Sequence, residues 1–296
     1  MRKMLLVSCA VVLCTAVPTE AFAWGAAAHR FIMRRAIDLL PAEMKPFFEH
    51  YREELVLRVI DPDLWRTAGF DEDANHFLDF GVAEYGAYPF AALPRDYDAA
   101  IEKFGLATVK RNGLLPWREA DMFGQLRRAF ESLGRREGQA PGNVVLFAAA
   151  AAHYIQDAHQ PLHASNNYDG QLTGQRGLHA RFESDLFERF ESKLTIEPAA
   201  PMPMMHPRDV AFDVLLESFR LVPGLLDADK KAIEGKDTYD DQYFEKLLVG
   251  VKPMLEQRLR ASITQTASLM IGAWTAAGKP MLVTMLPRRV EKVRAQ

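Results

Sequence analysis

The sequence predicts an all-α protein, a single multi-helix domain with a metal site built from side chains on facing helices. Three observations carry this reading. Apolar residues recur at helical spacing along nearly the whole chain, strand-like alternation is scarce, and residues with metal-ligand chemistry stand four apart within two of the helical runs.

Taken in order, Ile32, Ala36, Leu39 and Leu40 predict a first helix from about His29. Phe47, Phe48, Tyr51, Leu55 and Val59 predict a second, closed by Asp61-Pro62. A third runs from Trp117 to Leu133 and ends at Gly134. The central helix spans about Pro141 to Gln160, and another follows from about His179 to Phe190. A sixth covers Pro207 to Leu221. The last stretch, Tyr239 to Ala277, is one that Gly250 and Pro253 bend or break. No internal repeat, low-complexity tract or long linker divides the chain.

The first 23 residues have the three parts of a signal peptide. Arg2 and Lys3 give a positive start, Met4 to Val17 an apolar run, and Ala21-Phe22-Ala23 a small-residue cleavage site. The run is short for a transmembrane helix, which needs about 20 residues. Leu6-Val7-Ser8-Cys9 superficially resembles an acylation site but comes too early to leave an apolar run before it. Cleavage predicts export, to a periplasm or the exterior, and removes Cys9 and Cys14, the only two cysteines. The chain from Trp24 onward then has no disulfide, no thiolate ligand and no cysteine nucleophile. It is long enough for one large domain or two small ones. The formal charge of −3 becomes one unit more negative, which argues against a protein that holds nucleic acid chiefly by counterion release.

His153-Tyr-Ile-Gln-Asp157-Ala-His159-Gln-Pro-Leu-His163 is the most informative segment. His153 and Asp157 are four apart in an alanine-rich run, so both project from one helix face. Pro161 ends that helix and lets His163 return from the turn beyond. Imidazole and carboxylate together suit zinc, and a carboxylate has two oxygens with which to bridge two ions. A pair of satisfied core polar groups is the plainer reading of any one such histidine. Three ligand-type residues within eleven positions favour metal. His179 and Glu183 repeat the spacing after a polar, glycine-rich segment (164–178). The methionine-rich segment 198–207 reads as a connecting loop in preference to a membrane contact, and the basic tail from Pro287 as a solvated end.

Trp24-Gly-Ala-Ala-Ala-His29, then Asp63, His76-Phe77, the His153–His163 run and His179-x3-Glu183 together resemble one superfamily. It is that of zinc-dependent phospholipases C and single-strand-specific zinc nucleases of the S-one/P-one type. Val251-Lys-Pro-Met to Trp274 is similar to that family's last helix. The resemblance implies a trinuclear zinc cleft in an all-helical domain. Trp24 would bind one ion through its backbone amine and carbonyl, with His29 beside it. Asp63, His76 and His153 would hold a neighbouring ion, Asp157 would bridge the two, and His163, His179 and Glu183 would hold a third. A zinc-bound hydroxide would attack phosphorus, which makes Asp63 and Asp157 the carboxylates nearest the chemistry. Asp61 competes with Asp63; Asp63-x-x-Arg66 resembles the nucleases' Asp-x-x-Arg. His159 is not a ligand position in the family, and His50 and His206 have no partner at useful spacing. Phe77 either lines the cleft or packs in the core.

Glu183 resembles the phospholipases, whereas the nucleases usually carry Asp there; Asp157-x-His-Gln-Pro-Leu-His163 and Asp63-x-x-Arg66 resemble the nucleases. The sequence therefore implies a phospholipase C-like phosphodiester hydrolase, with a single-strand endonuclease or 3′-nucleotidase as the alternative. Its substrate partner would be a phospholipid head group or single-stranded nucleic acid. No stable membrane anchor and no obligate protein partner is evident.

Overall fold

In the computed structural model, which describes residues 24–285, helices account for most of the chain. The predicted signal peptide and the basic tail from Pro287 lie outside the described residues. Helix α1 (Ala26–Asp38) buries a stripe of Ala28, Ile32, Met33, Ala36 and Ile37, and His29 lies on that same stripe. The predicted second helix is divided at Tyr51 into α2 (Lys45–His50) and α3 (Arg52–Arg58). Asp61-Pro62 does more than end it. Pro62 sits in the first turn of α4 (Asp61–Thr67), where a missing N–H has no intrahelical partner to lose. That places Asp63 and Arg66 on a helix of their own.

Two helices escaped the sequence pattern, α5 (Tyr97–Phe104) and α6 (Leu106–Arg111). Both are short, and α5 leans on its cap, the Asp96 carboxylate accepting from Ala99 N at 3.0 Å. Then come the two central helices, α7 (Leu115–Gly134) and α8 (Ala140–Ala158). They form a hairpin: Arg118, at the start of α7, reaches the Tyr154 hydroxyl near the end of α8. Ala148 to Ala152 are all buried, and their small side chains let α1, α3, α7 and α12 close in around α8.

After a 3-10 turn at Pro161–Ala164 the chain re-enters helix as α9 (Leu178–Ala180), a π turn at Arg181–Asp185, and α10 (Leu186–Phe190). α11 (Pro207–Ile233) is longer than the sequence predicts and continues through Pro223. α12 (Asp241–Ala276) fills the expected stretch without a break, running past Gly250 and Pro253. An internal proline costs about 3 kcal/mol. Here apolar burial on both sides of each proline keeps the helices whole. The Val249 carbonyl that Pro253 deprives of its donor belongs to a residue 80% exposed, so water can serve it. Phe80 and Ser165 form the only β-bridge among the described residues. No described helix is long and apolar enough to cross a membrane. The 198–207 segment lies along α12: Met204 N donates to Ser268 O at 2.9 Å, while Met202 and Met205 face outward.

The C-terminal end of α8 is fixed by its neighbours. Buried Arg258 of α12 donates to His159 O at 3.0 Å, and Ser218 of α11 donates to Ala158 O at 2.6 Å. Both satisfy carbonyls that a helix end leaves open, and a cation there also matches the helix dipole. The ligand-bearing turn beyond Ala158 is thus held from two sides.

One buried group has no such partners. Glu119 of α7 is fully buried, and neither carboxyl oxygen has a hydrogen-bond partner among the described residues. Burial, with Asp157 nearby, pushes its carboxyl well above the ordinary value of 4.5. The unfolded chain loses that proton near 4.5 while the folded chain keeps it, so this group makes stability fall as pH rises above that value. Glu119→Gln should therefore raise the melting temperature at pH 8 and flatten its decline between pH 5 and 8. Thermal melts of both proteins across that range check this; a variant that melts lower throughout contradicts it.

Candidate metal centre

Eight imidazole and carboxylate side chains from widely separated parts of the chain meet beside α8. They form three groups whose ligand atoms lie within 4.8 Å of one another: His29, His153 and Asp157; Asp63, His76 and His153; and His163, His179 and Glu183. His153 belongs to two of them. All eight side chains are buried, from fully to within 5%.

Each histidine but one is aimed by its outer ring nitrogen. His153 Nδ1 donates to Val59 O at 2.9 Å, His163 Nδ1 to His76 O at 2.5 Å, and His179 Nδ1 to Tyr168 O at 2.8 Å. His29 Nδ1 donates to Gln156 Oε1 at 2.6 Å. This fixes the tautomers, because a nitrogen facing a carbonyl must carry the hydrogen, and the inward Nε2 then presents a lone pair. His76 is the exception: its Nδ1 is the atom that faces inward, toward Asp157 Oδ2 at 3.0 Å.

The inward atoms crowd one another. His153 Nε2 lies 3.0 Å from His76 Nδ1, and His163 Nε2 lies 3.1 Å from His179 Nε2. His29 Nε2 is 3.2 Å from Asp157 Oδ1, with neither atom in a hydrogen bond among the described residues. Lone pairs facing one another at such distances in a dry interior are relieved by a proton on one ring or by a cation between them. Donors about 2.0–2.1 Å from a tetrahedral ion stand about 3.3 Å apart. The spacings match, and the donor set fits metal.

Asp157 has the geometry of a bridge. Its Oδ1 faces His29, and its Oδ2 faces both His76 (3.0 Å) and His153 (3.2 Å). Burial opposes its ionisation, yet His153, His163 and His29 hold its carboxyl well below the usual carboxylate range. It is ready as a ligand. Burial likewise pushes His163 down to about 3, leaving it neutral. His153 differs: burial disfavours its cation, but Asp157 and Asp63 outweigh that and push it up to about 9. A metal bound there has to displace a proton.

The competing candidates separate cleanly. Asp63 is buried within a ligand group, 3.7 Å from His76 Nδ1. Asp61 instead pairs with Arg58 at 3.2 Å at the start of α4. His159 belongs to no group; its Nδ1 donates back to Ile155 O at 2.7 Å, and burial keeps it neutral. His50 packs on Tyr51, and His206 precedes α11. Trp24 is fully buried, with its ring 5.9 Å from Phe182. Its neighbour Gly25 lies so close to the π turn that a Cβ would fall 2.3 Å from Ser184 Oγ. The backbone at Trp24–Gly25 therefore runs against the segment carrying Glu183.

A cavity of about 600 Å³ opens onto His76, His163 and His179. Its wall includes Phe77, as one of the two sequence readings has it, and Arg66. It also includes Asp79, Arg111 and Tyr168, which the sequence did not single out. Burial pushes the Asp79 carboxyl up to about 7. The three lie in segments without helical periodicity or at the end of a short helix; only the nearness of Asp79 to His76-Phe77 could have marked one of them. No protein-family model and no curated protein matches this chain. The site's chemistry is argued from its own atoms.

The separation of His159 from the groups gives a direct test. His159→Gln should leave metal content unchanged by elemental analysis, while His153→Gln and His163→Gln should each lower it by an equivalent or more. Equal loss in all three would place the ligand boundary wrongly.

Proposed function

We propose that the protein is a zinc-dependent phosphodiester hydrolase, exported through its N-terminal signal peptide, with three ions held by the three buried groups. The observation that carries this is the convergence of eight buried imidazole and carboxylate ligands, one of them a two-sided carboxylate, three of which open onto a cavity whose wall includes arginine and aromatic side chains. His/carboxylate donors without thiolate suit zinc among the divalent ions. His29, His153 and Asp157 would hold one ion, Asp63, His76 and His153 with the other Asp157 oxygen a second, and His163, His179 and Glu183 a third. Trp24 would complete the first through its backbone amine and carbonyl. When bound, zinc supplies Lewis acidity toward phosphoryl oxygens and water made acidic enough to ionise near neutral pH.

The chain's own groups do the rest. Asp63 and Asp157 each have one oxygen, Oδ1, without a hydrogen-bond donor among the described residues, which suits both as carboxylate ligands beside the reacting phosphorus. Arg66, three residues beyond Asp63 on α4, reaches the same cavity and can receive the phosphoryl group. The sequence leans toward the phospholipases; the cavity leans toward nucleic acid. Arg66 and Arg111 suit phosphate contacts; they share the wall with Asp73 and Asp79, Arg66 lying 3.6 Å from Asp73 and Arg111 3.1 Å from Glu84. Phe77 and Tyr168 offer rings for base stacking. Asp79, near half protonation at neutral pH, can donate to or accept from a base edge. Phospholipid is the second reading, favoured by Leu64 (49% exposed) and Phe70 (66% exposed), which flank Arg66 in sequence and suit contact with a lipid surface.

Purified protein should release mononucleotides from single-stranded DNA or RNA, lose that activity to a chelator and regain it with zinc. Phosphocholine release from phosphatidylcholine instead would make the second reading correct. Asp157→Ala should remove about two zinc equivalents and nearly all activity; retention of three would refute the bridge.

The N-terminus supplies a sharper test. An amine at Trp24 exists only after cleavage behind Ala23, and before that the nitrogen is an amide, a poor donor to zinc. A protein with one extra residue before Trp24 should bind the adjacent ion weakly and turn over slowly, whereas Trp24→Ala retains both backbone donors. Zinc content and activity of the two proteins decide it, and full activity in the extended form would refute the role.

A further inference from the structure

His179 and Glu183 stand on the least regular helical stretch of the site. α9 is a single turn, and the π turn that follows forgoes the regular ladder of hydrogen bonds. A segment this short does not hold two ligand side chains by its own backbone. Tyr168 and Gln160 bond the two ligand side chains. The backbone between them is held by Arg181, midway between the two ligands, which reaches in another direction, to α11 and α12.

The Arg181 guanidinium donates to Asp229 Oδ1 at 3.1 Å and to the Tyr243 hydroxyl at 2.9 Å. It also donates back to the carbonyls of Arg176 (2.8 Å) and Gln175 (3.2 Å), fixing the turn that leads into His179. The Tyr243 hydroxyl donates to Asp229 Oδ1 at 2.5 Å, and the Gln175 amide to Asp229 Oδ2 at 2.7 Å. Both carboxylate oxygens are thus engaged. Asp229 is 1% exposed and Arg181 6%, with the Tyr239 ring 3.8 Å from the guanidinium carbon. Gly177 makes room: its φ is +83°, and a Cβ there would meet Arg181 Nη1 at 2.9 Å.

A buried ion pair is by itself weak evidence for stability, because desolvation offsets much of the attraction. This one joins the only two-ligand segment lacking a regular helix to the two longest helices. We infer that Arg181, Asp229 and Tyr243 form a positioning clamp for the His163–His179–Glu183 group, and that the clamp sets how tightly that group holds its ion. The inference rests on the reading of the three groups as zinc sites. The other two groups draw their ligands from α1, α4, the turn at Asp73–His76 and α8, and the clamp's hydrogen bonds go to none of these.

The test titrates zinc chloride into chelator-stripped protein against a chromophoric competitor, with zinc counted by elemental analysis. Tyr243→Phe removes one hydroxyl and keeps the ring; Asp229→Asn keeps the shape and removes the charge. In both, one of three equivalents should weaken on the order of 10- to 100-fold, the usual effect of losing an outer partner of a ligand. The other two should keep wild-type affinity. Tyr243→Phe, the milder change, carries the test if Asp229→Asn does not fold. Wild-type affinity for all three equivalents, even with a lowered melting temperature, overturns the clamp and leaves a purely structural pair. Equal weakening of all three overturns it too. A wild-type protein that takes up no zinc fails differently, removing the zinc reading and the inference with it.

Discussion

Everything in this structure depends on a crowd of buried donors that face one another across short distances. Removing a charged group from water costs several kcal/mol even after relaxation. Eight potential ligands brought together in the interior are tolerable only with compensating cations or with outer partners that fix which atom points inward. The outer partners are present: Val59, Gln156, His76 and Tyr168 each accept from the far side of a ring. Gln160 serves the carboxylate in the same way, its amide donating to Glu183 Oε2 at 3.0 Å. The fold thereby spends backbone carbonyls and buried amides on the orientation of four imidazoles and a carboxylate, which a purely apolar core would not require.

The helix at the centre explains how so many segments reach one place. Five consecutive alanines, Ala148 to Ala152, make α8 thin enough for α1 to bring His29 within ring-stacking distance of His153, 4.3 Å between centroids. Larger residues there would push α1 outward and open the His29–Asp157 contact. The packing is close and the side chains are small; composition, spacing and site geometry are one fact at this helix.

The sequence made the ligands legible because their spacing is a property of helices: four apart at His153 and Asp157, four apart again at His179 and Glu183. Asp63 over Asp61 could also be read, although the reason the structure supplies is different, since Pro62 starts a helix and turns Asp63 inward while Asp61 pairs with Arg58. What could not be read arises from tertiary context. Pro223 and Pro253 look like breaks until burial on both sides outweighs the lost hydrogen bond. Glu119 looks like a solvent-facing helix residue until the packing of α7 buries it. Asp79, Arg111 and Tyr168 reach the cavity from segments with no period to betray them, and the partner of Arg181 lies forty-eight residues away in α11.

The absence of cysteine beyond Cys14 gives the centre a second consequence. Many exported proteins gain stability from disulfides, which restrict the unfolded state, and on the export reading this chain would do without them. Here α1, α4, the turn at Asp73–His76, α8, the turn at Pro161–Ala164 and the π turn all converge on one cluster of donors. Ions bound there would tie together segments spread from Trp24 to Glu183, and any ligand that binds only the native state adds its binding free energy to stability. On the zinc reading, catalysis and the integrity of the N-terminal two-thirds of the chain rest on the same atoms. α11 and α12, which supply no ligand, then act as the rigid backing against which Arg258 holds the end of α8 and Arg181 holds the π turn.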